Sequence, residues 1–245
     1  MVNFIVFLIL HFIGDFYLQT TRMAKCKNAQ IGLECNNCKK CKTGAILNIK
    51  YMLLHTILYI IPFFLLFLIT DYLSAIISLI IIFVSHSLID IFTCYLNKKL
   101  KQTIVFLADQ SFHILILFVI SKMCTLNIFL NEYINILKIV LSILTLIVPC
   151  SILINKLFKD IYPETNIKGI FDVGSIIGII ERFLAFIFAY FGNFAAIAII
   201  ITVKTWARNE DLKDKDFRNK YLLGTLASLT TALVTFVVYN MPYTC

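Results

Sequence analysis

Charge is what this chain has least of. Only 15% of its 245 residues are Asp, Glu, Lys or Arg, against 60% hydrophobic residues and a mean hydropathy of +0.89, a balance far from that of a soluble domain. Acidic groups are the rarer kind, 14 against 22 basic ones, and no nucleic-acid motif accompanies the net charge of +8. The basic residues fall instead in the connections between apolar segments, where they meet an anionic membrane leaflet, and the mixed-sign run from Glu210 to Lys220 reads as a solvated loop. Nucleic acid is not expected as a partner. The first apolar segment has no basic residue before it and a basic run after it, the reverse of a signal peptide, so it is expected to stay attached.

Long apolar runs are abundant. A hydrocarbon core of roughly 30 Å needs about 20 apolar residues per helix, and candidates lie near 2–21, 46–69, 72–96, 103–123, 134–156, 172–191, 193–207 and 221–239. These predict an all-α, polytopic membrane bundle of about eight helices, a single transmembrane domain over residues 1–245 with a cysteine-containing loop at 22–45. Lysine and arginine concentrate in the odd-numbered loops: Arg22, Lys25, Lys27, Lys39, Lys40, Lys42 and Lys50 in the first, Lys98, Lys99 and Lys101 in the third, Lys156, Lys159 and Lys168 in the fifth, and Arg208, Lys213, Lys215, Arg218 and Lys220 in the seventh. By the positive-inside rule these loops are cytoplasmic and both termini face outward. Pro62 and Pro149 fall inside apolar segments and are expected to kink them.

Against this background the histidines stand out. All four lie in apolar segments, and His11, His86 and His113 each have an aspartate four residues away, at Asp15, Asp90 and Asp109. Residues four apart share a helix face. The first and third helices run inward, which puts Asp15 and Asp90 about seven residues from the boundary and His11 and His86 about eleven, roughly 10 and 16 Å deep at 1.5 Å per residue. The fourth helix runs outward, so a common level requires the opposite order, aspartate before histidine; Asp109 and His113 have it. His55, on the outward-running second helix with Tyr51 rather than an acid four residues before it, reaches the same layer.

Ionisable groups at such depth are costly unless they pair, ligate metal or line water. Three uses compete. Imidazole with carboxylate suits Zn, Mn or Fe, and His11, Asp15, His55, His86, Asp90, Asp109 and His113 offer more donors than the four of a tetrahedral ion, enough for two metals bridged by an aspartate. The same side chains would also form a proton or metal-ion pathway, or merely join helices by hydrogen bonds.

In the second half, Glu181 and Arg182 stand about ten residues into the sixth helix, near the same level, as candidate catalytic groups. Glu181 is a candidate general base or extra ligand; Arg182, Lys204 and Arg208 are candidates to hold a phosphate. The structural alternatives are an internal ion pair for Glu181 and Arg182 and snorkelling for Lys204 and Arg208. Trp206 reads as an interfacial anchor, and Gly174 with Gly178 as a small-residue packing pair. Cys94, Cys124 and Cys150 read as small hydrophobes, whereas Cys26, Cys35, Cys38 and Cys41 share the first loop with CxxCxxC spacing. In a reducing cytoplasm disulfides are disfavoured, so zinc or an iron–sulfur cluster competes with free thiols there.

Taken together, the segments His11-Phe12-Ile13-Gly14-Asp15-Phe16-Tyr17-Leu18-Gln19, His55-Thr56-Ile57-Leu58-Tyr59, His86-Ser87-Leu88-Ile89-Asp90, Asp109-Gln110-Ser111-Phe112-His113, Gly178-Ile179-Ile180-Glu181-Arg182 and Tyr221-Leu222-Leu223-Gly224-Thr225 resemble the bacterial membrane family called domain of unknown function 3307 over nearly the whole chain. That resemblance implies a bacterial inner-membrane protein and no particular activity. The HxxxD pairs in apolar helices are also similar to those of membrane-bound metal-dependent hydrolases. The expectation is therefore a metal-dependent hydrolase of a lipid-like ester or phosphoester, with membrane lipids as its surroundings; a metal-ion or proton transporter and a non-catalytic scaffold are the alternatives.

Overall fold

The computed structural model describes residues 2–20, 23–24, 49–97, 99–124, 132–164 and 173–241. The cysteines at 26, 35, 38 and 41, most of the first loop and the terminal Cys245 lie outside them. Every regular element among the described residues is helical: α1 (Val2–Phe12), continued by a π-helical turn (Ile13–Tyr17); α2 (Ile49–Ile60), continued by a 3-10 turn (Ile61–Leu65) into the single-turn α3 (Leu66–Ile69); α4 (Tyr72–Leu96); α5 (Gln102–Met123); α6 (Ile134–Ile147); α7 (Pro149–Ile161); α8 (Val173–Tyr190); α9 (Phe194–Ala207); a 3-10 turn (Asp211–Lys213); and α10 (Lys215–Asn240).

Six segments are long and apolar enough to cross a bilayer: Lys50–Ile69, Tyr72–Leu96, Gln102–Met123, Ile134–Ile161, Val173–Tyr190 and Lys215–Asn240. Two further apolar helices, Val2–Tyr17 and Phe194–Ala207, are shorter. The expected eight thus divide into six full-length segments and two short ones. The 14 residues of α9 extend only about 21 Å at 1.5 Å per residue, less than the hydrocarbon thickness. The α-helix is interrupted at both prolines: Pro62 is the second residue of the 3-10 turn, and Pro149 sits at the first position of α7, just after the break at Val148. A proline there removes a helix hydrogen bond, and the chain accommodates it by changing helix type or restarting.

The chain divides into two compact units, Met1–Leu141 and Ser142–Cys245, with the boundary inside α6. In both the arrangement is inside-out relative to a soluble protein. Large apolar side chains such as Leu68, Ile80, Leu88, Leu115 and Leu226 are exposed, while His11, His55, His86 and Asp90 are buried, the sorting expected when the solvent is lipid and polar groups must find partners within the bundle. The sequence produces this by helical spacing. On α4 the buried positions are Ala75, Ser78, Ile82, His86, Ile89, Asp90, Thr93 and Cys94, one stripe at helical spacing; on α5 the stripe includes Val105, His113, Leu117 and Ile120.

The first unit has an apolar core at one end, formed by Val6, Phe7, Leu10, Phe63, Leu66, Ile82 and Leu117 among others, and the histidines begin where that core stops. In the second unit Leu146, Ala185, Phe186, Ala189, Ile197 and Ala232 pack α8 against α9 and α10, with small residues allowing close helix approach. The reversal between α8 and α9 passes through Gly192 at φ 71°, in the left-handed region that glycine enters without steric cost. Gly178 lies where α8 approaches α10: Ser228 Oγ stands 3.4 Å from its carbonyl oxygen, and an added Cβ would be in ordinary van der Waals contact with Arg182 Nη1 at 3.4 Å.

Gly14 is the tightest point of the first unit. A Cβ placed on it would lie 2.6 Å from the Tyr59 carbonyl oxygen and 2.9 Å from Tyr59 Cδ2, so α1 and α2 touch here through backbone. Gly14→Ala is expected to lower the thermal unfolding midpoint of the purified protein in detergent, with overpacking costing about 1–3 kcal/mol. An unchanged midpoint would contradict the close approach.

Candidate metal centre

The π-helical turn decides where the first aspartate goes. Leu18 N–H donates to the Ile13 carbonyl, five residues back, at 3.0 Å, and this wider turn rotates Asp15 away from the position four residues past His11 that an α-helix would give it. His11 and Asp15 form no ion pair. Asp15 Oδ1 instead lies 3.2 Å from His55 Nε2, and Asp15 Oδ2 accepts a hydrogen bond from Gln110 Nε2 at 3.0 Å. The other two pairs keep the α-helical relation: His86 Nε2 is 3.5 Å from Asp90 Oδ2, and His113 Nε2 is 3.7 Å from Asp109 Oδ1.

All seven side chains singled out in the first four apolar segments meet within one cluster. His55 Nε2 and His86 Nε2 face each other at 3.0 Å, and Asp90 Oδ2 stands 3.6 Å from His55 Nε2. The His86 and His113 rings are 4.5 Å apart and those of His11 and His113 5.3 Å apart, so groups from α1, α4 and α5 occupy one level. Two triads of ligand atoms result, Asp15 with His55 and His86, and Asp90 with Asp109 and His113, and within each triad the atoms lie no more than 4.8 Å apart.

The spacing suits a cation. Ligand atoms at roughly 2.0–2.2 Å from one ion stand about 2.9–3.5 Å from each other in octahedral or tetrahedral geometry, and the separations at His55 are 3.0 and 3.2 Å. Two imidazole nitrogens facing each other at 3.0 Å in an apolar interior need a proton or a metal between them. His113 Nε2 makes no hydrogen bond although the residue is only 3% exposed; it stands 3.7 Å from Asp109 Oδ1. The donor set, imidazole and carboxylate without thiolate, suits Zn, Mn or Fe.

His11 stands outside both triads. Its two nitrogens are taken by Tyr59 Oη at 3.0 Å and Gln110 Oε1 at 3.2 Å. The directions follow from the acids. Ionised carboxylates only accept, so the Gln110 amide turns its NH2 to Asp15 Oδ2 and Asp109 Oδ2, both at 3.0 Å. Its oxygen then accepts from His11 Nε2–H, and His11 Nδ1 accepts from the Tyr59 hydroxyl. Tyr59 also stacks on His86, ring centroids 3.6 Å apart and planes 8° from parallel. Tyr59 and Gln110 were not singled out from the sequence, yet each carried a positional signal: Tyr59 lies four residues after His55, and Gln110 adjoins Asp109.

The second-half candidates are placed otherwise. Arg182 is 3% exposed; its Nε donates to the Leu146 carbonyl at 2.9 Å, Nη1 to Ser228 Oγ at 3.3 Å and Nη2 to Ser151 Oγ at 2.6 Å. Glu181 pairs with Lys204, Oε2 to Nζ 2.7 Å, and Lys204 also donates to Thr225 Oγ1 at 3.2 Å. All these partners belong to the second unit. The ion pair therefore joins Glu181 to Lys204, while Arg182 is held by neutral oxygens and ties α8 to the neighbouring helices. A cavity of about 30 Å³ lies between Glu181, Arg182, Lys204, Thr225 and Ser228, with room for ordered water. Arg208 and Trp206 are exposed, with the Arg208 guanidinium 5.8 Å from the Phe217 ring centroid. Cys94, Cys124 and Cys150 are buried without disulfides.

Fold and centre together define a multi-pass helical membrane protein with a buried histidine–aspartate cluster. The chain belongs to the family described as Protein of unknown function (DUF3307), whose model matches residues 3–141. The match ends at the boundary of the first unit and contains the whole cluster. The Gly178–Arg182 and Tyr221–Thr225 segments, which also entered the resemblance, lie beyond it, so the family relation covers the first unit and not nearly the whole chain. No curated protein and no solved structure matches the chain.

Gln110 is the joint of this network. Gln110→Met, of similar length, removes the donor to two buried carboxylates and the acceptor for His11. It is expected to lower unfolding stability by about 1–3 kcal/mol, read from denaturant titration in mixed micelles. A Met variant as stable as the parent would show that the network contributes nothing.

Proposed function

We propose that this protein is a metal-dependent membrane hydrolase acting on a lipid-like ester or phosphoester, with the histidine–aspartate cluster as its centre. The observation that carries the reading is the convergence of two ligand triads from four separate apolar helices at one buried level. A divalent ion held there would polarise the scissile group and bring a water towards ionisation near neutral pH. The chain's own residues supply the rest. Asp15, His55, His86, Asp90, Asp109 and His113 are the ligands. Gln110 orients two of the carboxylates, His11 orients Gln110, and Tyr59 fixes both the His11 tautomer and the plane of His86, the outer-shell support that a metal site needs.

Access favours an amphiphilic substrate. The Asp109 side chain is 18% exposed, against 1% for Asp90, so it is the open corner of the cluster. Leu107 and Phe112, close by on α5, are exposed apolar side chains, and in a bilayer they face acyl chains. A headgroup entering beside Asp109 leaves its tail in lipid. Glu181, Arg182, Lys204 and Arg208 have no part in this reading, because the first three are committed to one another or to neutral partners within the second unit. The centre lies about 10 Å from the α4–α5 connection, seven residues before Asp109 at 1.5 Å per residue. Its basic residues Lys99 and Lys101 favour the cytoplasmic side of an inner membrane, with both termini outside.

The test is hydrolysis of fluorogenic phospholipid and acyl-ester probes by the protein reconstituted in vesicles with Zn2+ or Mn2+. The expected result is turnover abolished by chelation and by His86→Ala or Asp90→Asn, and reduced roughly 10–100-fold by Tyr59→Phe through the outer shell. Metal-loaded protein that cleaves none of these probes but conducts protons or metal ions across the vesicle would overturn the enzyme reading.

A further inference from the structure

The reading above leaves the number of ions open. We infer that the centre takes two divalent cations, one in each triad, with Asp90 bridging them and Gln110 holding the two outer carboxylates in place. The inference rests on the cluster being a metal site.

Three features carry it. The six ligand atoms fall into two groups, not one, whereas six ligands around a single octahedral ion at about 2.1 Å would all lie within about 4.2 Å of each other. Asp90 belongs to the second triad, yet its Oδ2 lies 3.5 Å from His86 Nε2 and 3.6 Å from His55 Nε2, both members of the first. It is a carboxylate shared between the groups, the position a bridging ligand occupies when two ions stand about 3.5–4 Å apart. Gln110 then binds the far oxygen of one acid from each triad. Its bonds to Asp15 Oδ2 and Asp109 Oδ2 leave Asp15 Oδ1, 3.2 Å from His55 Nε2, and Asp109 Oδ1, 3.7 Å from His113 Nε2, turned to the interior of their triads.

Charge bears on what the occupied centre would accept. With neutral imidazoles, one divalent ion leaves the three ligand carboxylates with a net negative charge in a low-dielectric interior. Two leave a net positive charge that an anionic phosphate group or a hydroxide would cancel, which suits a phosphoester more than a neutral ester. An uncompensated charge of either sign is costly at this depth, so the second ion and the anionic substrate stabilise each other.

The experiment uses the full chain in detergent with Mn2+ as probe, an ion that carboxylate and imidazole bind and loop thiolates hold poorly. Metal content after desalting is expected to be two Mn2+ per chain, with the exchange-broadened electron paramagnetic resonance signal of a close pair. His55→Ala and His113→Ala are each expected to bring the content to one and to restore the sharp six-line signal of an isolated ion. Size-exclusion chromatography identifies any variant that does not fold, and the parent's content and spectrum decide the question without it. One Mn2+ per chain with an isolated-ion spectrum, lost in both variants, would overturn the two-ion inference while the metal reading stands. A parent chain that binds no Mn2+ would overturn both.

Discussion

Three carboxylates inside a lipid-facing bundle are the constraint to which the first unit is built. Moving an ionised acid out of water costs several kcal/mol even after the protein relaxes, and a membrane offers no water to soften that cost. Each acid must therefore meet a proton, a cation or hydrogen-bond donors. Asp15, Asp90 and Asp109 all stand beside imidazoles, and Asp15 and Asp109 also accept from the Gln110 amide. The helices that deliver these groups are positioned accordingly: α1 and α2 touch through backbone at Gly14 and Tyr59, and α4 and α5 turn inward the stripes that carry their histidines. Apolar packing fills the rest of the unit, but the level at which the helices register is set by the polar cluster.

The fold class was legible because hydrophobic length is a strong signal and the bilayer thickness is a fixed ruler. Which side chains meet was legible as well, since i±4 spacing and the reversed order of Asp109 and His113 on an outward-running helix suffice to put histidines and acids at one height. What lay hidden was local. Nothing in Ile13-Gly14-Asp15-Phe16-Tyr17 announces a π-helical turn, so the pairing of His11 with Asp15 followed the α-helical rule, whereas the structure sends Asp15 to His55. Tyr59 and Gln110 escaped notice because neutral polar residues are common in membrane helices and only a neighbour's lone pair gives them a task. In the second half, charged residues on successive helices were candidates for a phosphate site, and what the sequence did not announce is that Glu181 pairs with Lys204 rather than with its neighbour Arg182. The energetic reason is the same desolvation cost, met there by pairing and by neutral oxygens.

The two units thus use buried charge differently. In the second, Arg182 is surrounded by a carbonyl and two serine hydroxyls, and the neighbouring acid and lysine neutralise each other; such an arrangement clamps helices together. In the first, acids and imidazoles outnumber what helix clamping requires, and a buried imidazole nitrogen of His113 is left without a hydrogen bond. The family relation covers the first of these arrangements and stops before the second.

The order of the cluster along the chain has a consequence for its assembly. Every member, from His11 to His113, leaves the ribosome before the first residue of the second unit does, so acids and imidazoles can find one another during membrane insertion, while the remaining helices are still unmade. The early helices need not wait in lipid with bare charges for the late ones to rescue them.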